Sequence, residues 1–281
     1  MALPSGSSPR YGAFMQREDE DGQAERWLTE WHDRHAGATS RALARGRPST
    51  YDRLAALAQP GQSVLDLACG DGFLLERLRA HGAGAITGVD MSPGELASAR
   101  RRLGDGATLV EARAQSLPFP DGTFDLVTCH MALMLMRPVA EVVAEVRRVL
   151  RPNGRFAAIL SSFRATDPDD AWVRVTDLLR KTPPKGPAIG DPCTRDAAGL
   201  TQLLAAYSDV HVEPFTSDLS GTPDDIWALF TEIYPFEMIP PEEAKAMEEP
   251  ARAEMRSLVR ADGTVPCTFA YLEVHATKDG A

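Results

Sequence analysis

Asp66 closes the apolar run Val64-Leu65-Asp66-Leu67 and is followed by Ala68, Cys69, Gly70, Asp71 and Gly72. An acid followed by closely spaced glycines is a chemistry of close approach. Glycine takes the positive φ angles of such a turn at little cost and lets backbone N–H groups reach a ligand. Leu74, Leu75 and Leu78 continue at helical spacing, so the turn opens into a helix. Roughly 20 residues on, Gly88-Val89-Asp90 ends a second apolar run in an acid, the position from which a carboxylate can hold both hydroxyls of a ribose. A dinucleotide or another ribose-bearing cofactor would satisfy these residues alone. The dinucleotide fingerprint needs a third small residue where this chain has Leu75, which argues against an NAD-dependent oxidoreductase. His130, at the end of a further apolar run, carries a ring whose usual pKa near 6.5 suits proton transfer at neutrality.

These residues need a strand–turn–helix alternation to position them, and the chain supplies one. Strands are expected at 63–67, 85–90, 107–111, 124–129 and 155–160, with helices at 72–81, 93–103 and 139–150 between them. Ser92 before Pro93 forms a helix cap, and Arg151-Pro152-Asn153-Gly154 reads as a turn before the fifth strand. Such alternation implies a parallel sheet with helices on both faces. Residues 1–20 read as a loose polar start, 23–44 as one or two helices and 51–58 as another. Beyond the fifth strand the rhythm loosens. Helices at 167–180 and 194–207, a strand at 209–215, a helical pair at 223–233 and 241–260 with a break at Pro250, and a last strand at 265–277 are expected.

Bulk properties narrow the function. The chain has 281 residues, 43% hydrophobic and 25% charged, the balance of an ordinary globular protein. Its net charge of −10 favours a small molecule over a nucleic acid, which calls for a basic face. No apolar run approaches membrane-spanning length and no secretory signal opens the chain, so the expected location is cytoplasmic, with no membrane partner. The four cysteines lie far apart, without metal-ligand spacing, so no metal is expected. The oligomeric state stays open between monomer and homodimer.

Four segments in order resemble the class I S-adenosylmethionine-dependent methyltransferases. They are VLDLACGDG, GVDMSPGELASARRR, AQSLPFPDGTFDLVTCH and EVRRVLRPNGRFAA, together slightly over a third of the chain. The branch they look most like contains ubiquinone and menaquinone C-methyltransferases and many antibiotic-pathway O- and N-methyltransferases. The resemblance implies an α/β, Rossmann-like, seven-stranded sheet of order 3-2-1-4-5-7-6 with the last strand antiparallel. It also implies one domain: an N-terminal helical lid (1–58), a core (59–221 and 263–281) and a helical cap insertion (222–262).

By the same resemblance, S-adenosylmethionine is the cofactor. Asp66 stands near its methionine portion, while Ala68, Gly70 and Gly72 belong to the turn that passes beneath it. Asp90 takes the ribose hydroxyls, and Met91 packs on adenine. Ala114 and Gln115 lie by the adenine, although Arg113 replaces the family's usual acid and Gln115 a frequent glutamate. His130 lines the cofactor and is the candidate general base. Met131, Met134 and Met136 are core with part serving as a soft pocket wall. Trp31 and His35 of the lid, with Trp27 and His32 beside them, face Trp227, Phe230, Tyr234 and Phe236 of the insertion as acceptor-pocket candidates. The implied reaction is methyl transfer to O, N or C of a small molecule in natural-product biosynthesis, by in-line displacement without metal. The alternatives are a protein that keeps the cofactor fold without methylating, as a binding protein or a pericyclase-like enzyme, and, less favoured, an oxidoreductase.

Overall fold

The computed structural model describes residues 22–162, 167–182, 186–187, 189–234 and 238–280. The expected loose start at 1–20 and the pocket candidate Phe236 lie outside the described residues. Among the described residues three helices come first: α1 (Gln23–Arg34), α2 (Ala38–Leu43) and α3 (Thr50–Ala55). Then the alternation runs β1 (Ser63–Leu67), α4 (Phe73–Ala80), β2 (Ala85–Asp90), α5 (Pro93–Leu103), β3 (Thr108–Glu111), β4 (Phe124–His130), α6 (Val139–Val149) and β5 (Leu150–Ser161). The remainder is α7 (Ala171–Leu179), α8 (Ala197–Leu203), β6 (Ser208–Asp218), α9 (Pro223–Thr231), α10 (Pro241–Ser257) and β7 (Thr268–Thr277).

The seven strands form one sheet in the order β3-β2-β1-β4-β5-β7-β6. The pairs from β3 to β5 are parallel, while β7 runs antiparallel to both β5 and β6. Strand periodicity sorts the core onto two faces. Val64, Leu126, Ala157 and Tyr271 join α3, α4 and α5 on one face; Leu65, Val127, Phe156 and Leu272 join α6 and α8 on the other. Helix α6 shows why these residues choose their side. Val139, Val142, Val143, Val146 and Val149 recur on one stripe and are all buried, each contributing roughly 1.5–3 kcal/mol of burial.

The expected cap of α5 is present. The Ser92 hydroxyl accepts from the Glu95 N–H at 3.1 Å, with Pro93 in the first turn of α5. Leu75 faces Gly88 of the neighbouring strand. A Cβ on Gly88 of β2 would lie 2.7 Å from both the Leu75 side chain and the Cys69 sulfur, so the bulk of Leu75 is accommodated by the missing side chain of Gly88.

Two expectations are corrected. Residues 151–154 are not a turn between α6 and a late strand: β5 begins at Leu150, pairs with Phe124, and resumes its register at Arg155 opposite Leu126. The intervening residues form an irregularity in which Asn153 has φ +62° and donates its N–H to Lys278 O at 2.9 Å. Helix α10 runs on through Pro250, which is exposed. Helix α7 packs against α10, and the ring of its Trp172 stacks on Phe230 of α9 at 5.4 Å.

Candidate cofactor and acceptor pocket

The carboxyl ends of β1, β2 and β4 open into one cavity, roofed by α1 and by Tyr234, just beyond α9. Asp66, Ala68, Gly70, Asp90, Met91, Ala114, Gln115, His130 and Tyr234 all line it. It encloses about 1210 Å³ of empty space including its open mouth.

The floor is the glycine turn. Ala68 and Gly70 have φ of +56° and +53°, and Gly72 has φ +78° at the head of α4. A non-glycine residue in this region is strained, a feature that clusters at ligand sites. Gly72 itself is not among the lining residues; a Cβ there would sit 2.9 Å from Leu103 and 3.1 Å from Ala99, so its part is to let α4 pack on α5. The turn aims one N–H at the next strand: Gly70 donates to Asp90 Oδ2 at 2.9 Å, and Ser92 donates to Asp90 Oδ1 at 2.9 Å. Asp66, at the end of β1, accepts from the Thr128 hydroxyl at 2.8 Å.

The electrostatics follow from depth. Burial pushes the Asp66 carboxyl up to about 8, against the lowering effect of the Thr128 hydrogen bond. Burial also raises Asp90, held back by the N–H groups of Ser92 and Gly70. Among the described residues no cationic side chain is hydrogen-bonded to either desolvated carboxyl group, which makes the floor a place for positive charge.

His130 is set differently from a general base. Its Nε2 lies 2.8 Å from Thr50 Oγ1, its ring stacks on Tyr51 with centroids 3.9 Å apart, and burial lowers its pKa to about 3. The ring is a neutral wall of the pocket, held by α3. Gln115 donates its amide to Arg137 O at 2.7 Å, which leaves the amide oxygen as an acceptor. Met131 and Met136 line the cavity, while Met134 is core.

The acceptor candidates divide. Trp31 is 1% exposed, stacks on His35 at 4.7 Å and meets Tyr234 edge-on at 4.6 Å; neither Trp31 nor His35 lines the cavity. Trp227 lies under the Arg252 guanidinium at 5.2 Å, also away from the lining. Their large rings fasten the roof, as packing aromatics do. Phe230 is buried in the core cluster beneath the cap, and Trp27 packs edge-on against Tyr234 at 6.0 Å. Tyr234 reaches the pocket, and with it a constellation that sequence reasoning left undistinguished. His32 Nδ1 lies 3.0 Å from Glu95 Oε1, and His32 Nε2 lies 2.7 Å from the Tyr234 hydroxyl. Glu95 Oε2 accepts from the Gly37 N–H at 2.9 Å. In sequence Glu95 is an unremarked acid in the first turn of a helix, and only its burial sets it apart.

Comparison with known proteins bears on this site. Residues 65–158 match the family model described as "Methyltransferase domain". Residues 65–158 are a methyltransferase domain. Its sheet order and helices are those of the class I S-adenosylmethionine-dependent fold, and S-adenosylmethionine is the cofactor of that class. The demethylmenaquinone methyltransferase of Symbiobacterium thermophilum is 40% identical over 111 residues, 37% of this chain and 44% of the relative. The ubiquinone/menaquinone biosynthesis C-methyltransferase of Shewanella halifaxensis is 34% identical over 154 residues, 52% of this chain and 59% of the relative. The chain thus spans about half the length of the curated relatives it matches. Among solved structures, the 4+2 cyclase SpnF superposes with a TM-score of 0.57 at 21% identity over 90% of this chain and 96% of its own. A Bacillus halodurans protein described as a putative methyltransferase gives 0.55 at 17% identity over 82% and 99%. Both share the methyltransferase domain's fold. No helix among the described residues is long and apolar enough to cross a membrane.

Proposed function

We propose that the methyltransferase domain binds S-adenosylmethionine in this cavity and transfers the methyl group, without a metal, to an O, N or C atom of a small apolar aromatic molecule of quinone or phenol type, in natural-product biosynthesis. The observation that carries this reading is the pair of buried carboxylates, Asp66 and Asp90, on one pocket floor, the second cradled by the glycine turn. The names of the quinone methyltransferase relatives and the apolar lining support the substrate class.

The residues fit the cofactor chemically. When bound, S-adenosylmethionine supplies an electrophilic methyl group on a positively charged sulfur. Asp90 has one N–H on each oxygen, and an ionised carboxylate has acceptor capacity left for two ribose hydroxyls. Asp66, costly to ionise alone, gains from an ammonium beside it. The Gln115 amide oxygen suits an adenine amino group. The chain's catalytic contribution is positioning, which can supply roughly 7–11 kcal/mol, together with exclusion of water by α1 and Tyr234.

Titration calorimetry with S-adenosylhomocysteine tests the cofactor half: parent protein binds, and Asp90→Ala loses about tenfold or more in affinity. Near-parent affinity in Asp90→Ala would sink the ribose role. Incubation with S-adenosylmethionine and a panel of naphthols and naphthoquinols tests the rest by formation of S-adenosylhomocysteine. An acceptor consumed without that product would replace methyl transfer by a non-methylating use of the same pocket.

A further inference from the structure

We propose that the Tyr234 hydroxyl, oriented by the Glu95–His32 pair, receives a hydrogen bond from the acceptor and so selects molecules that present an O–H or N–H at the roof of the pocket. The inference rests on the reading of this cavity as a methyltransferase site. The argument is one of hydrogen-bond capacity. Glu95 is 2% exposed and takes the Gly37 N–H on one oxygen and His32 Nδ1 on the other. A carboxylate only accepts, so Nδ1 carries the proton and, in the neutral ring, Nε2 is left as an acceptor. The Tyr234 O–H then donates to Nε2 across 2.7 Å. With its single proton spent, the phenolic oxygen can only accept from anything further. Trp27 and Trp31 both pack edge-on against the Tyr234 ring, which fixes where that oxygen points. The nearby lining is apolar, with Ala24, Leu28, Met91 and Leu135. A donor-bearing apolar ring fits this wall, and its methylated counterpart leaves the tyrosine oxygen unsatisfied.

The test measures binding, with S-adenosylhomocysteine saturating the protein so that no turnover occurs. The probes are 1-naphthol and 1-methoxynaphthalene, which differ in the donor. The parent should prefer 1-naphthol by about tenfold or more. Tyr234→Phe should bring the two within about twofold while keeping its S-adenosylhomocysteine affinity. Glu95→Gln offers an amide donor to Nδ1, which turns the chain of hydrogen bonds round, and should shift the preference toward the ether. Equal binding in the parent, a preference surviving in Tyr234→Phe, or no binding of either probe would each overturn the proposal. Failure of the underlying reading appears separately, as absence of S-adenosylhomocysteine binding. A second measurement needs no variant at Tyr234. In the parent with nitrogen-15-labelled histidine, the resonance lost in His32→Gln should show a neutral ring protonated at Nδ1; a ring protonated at Nε2 would overturn the assignment.

Discussion

Asp66 is where binding and folding pull in opposite directions. Its carboxyl titrates at about 8 in the folded chain against about 3.9 unfolded. A carboxyl raised on folding gives its full stability below the unfolded value and loses it as pH climbs toward the folded one. Asp66→Asn should therefore melt higher than the parent at pH 8 while binding S-adenosylmethionine more weakly. A lower melting point there would contradict the desolvation argument. A cation placed beside Asp66 draws it back toward the ionised form. Cofactor binding below pH 8 should then release a proton, and affinity should rise with pH until it levels near that value; calorimetry in buffers of different ionisation enthalpy reads this directly. His130 makes the opposite case. Held neutral down to about 3 by burial, it should contribute no limb to a pH–rate profile above pH 5. His130→Asn should leave the profile's shape unchanged and cost less than about tenfold in rate. Loss of a limb in that variant would restore the general base expected from sequence.

At the scale of elements, floor and roof were unequally legible. The turn after β1 announces itself because its chemistry is local: Asp66, Gly70 and Asp90 lie within one strand–helix–strand unit, and apolar runs bounded by glycine mark the elements that carry them. The irregular start of β5 escaped because proline, asparagine and glycine in sequence signal a turn, whereas here they sit where the strand's register slips. The roof escaped for another reason. Its aromatics are spread over α1, α7, α9 and the residues beyond α9, and sequence does not tell a ring that faces a ligand from one that faces another ring. Trp31→Ala should accordingly destabilise the protein by about 3–5 kcal/mol, measured by denaturant unfolding, because it empties the contact between α1 and Tyr234. Trp227→Ala should leave both cofactor and probe affinities within about twofold of the parent; a larger loss would return Trp227 to the pocket.

At the scale of the whole molecule, the cavity couples the sheet edge to helices from both flanks of the chain. S-adenosylhomocysteine at about 100 times its dissociation constant should add about 2.7 kcal/mol to the unfolding free energy. Hydrogen exchange should slow in α1 as well as in β1 and β2, because α1 lines the same cavity through Ala24, Leu28 and His32. Protection confined to the strands would mean that α1 is not part of the bound state. The bond between His32 and Tyr234 joins residues 202 positions apart. A ribosome releases the first long before it makes the second. The two residues that together close the cavity from above are thus made far apart in time, and α1 meets Tyr234 only after the strands from β1 to β6 have been synthesised.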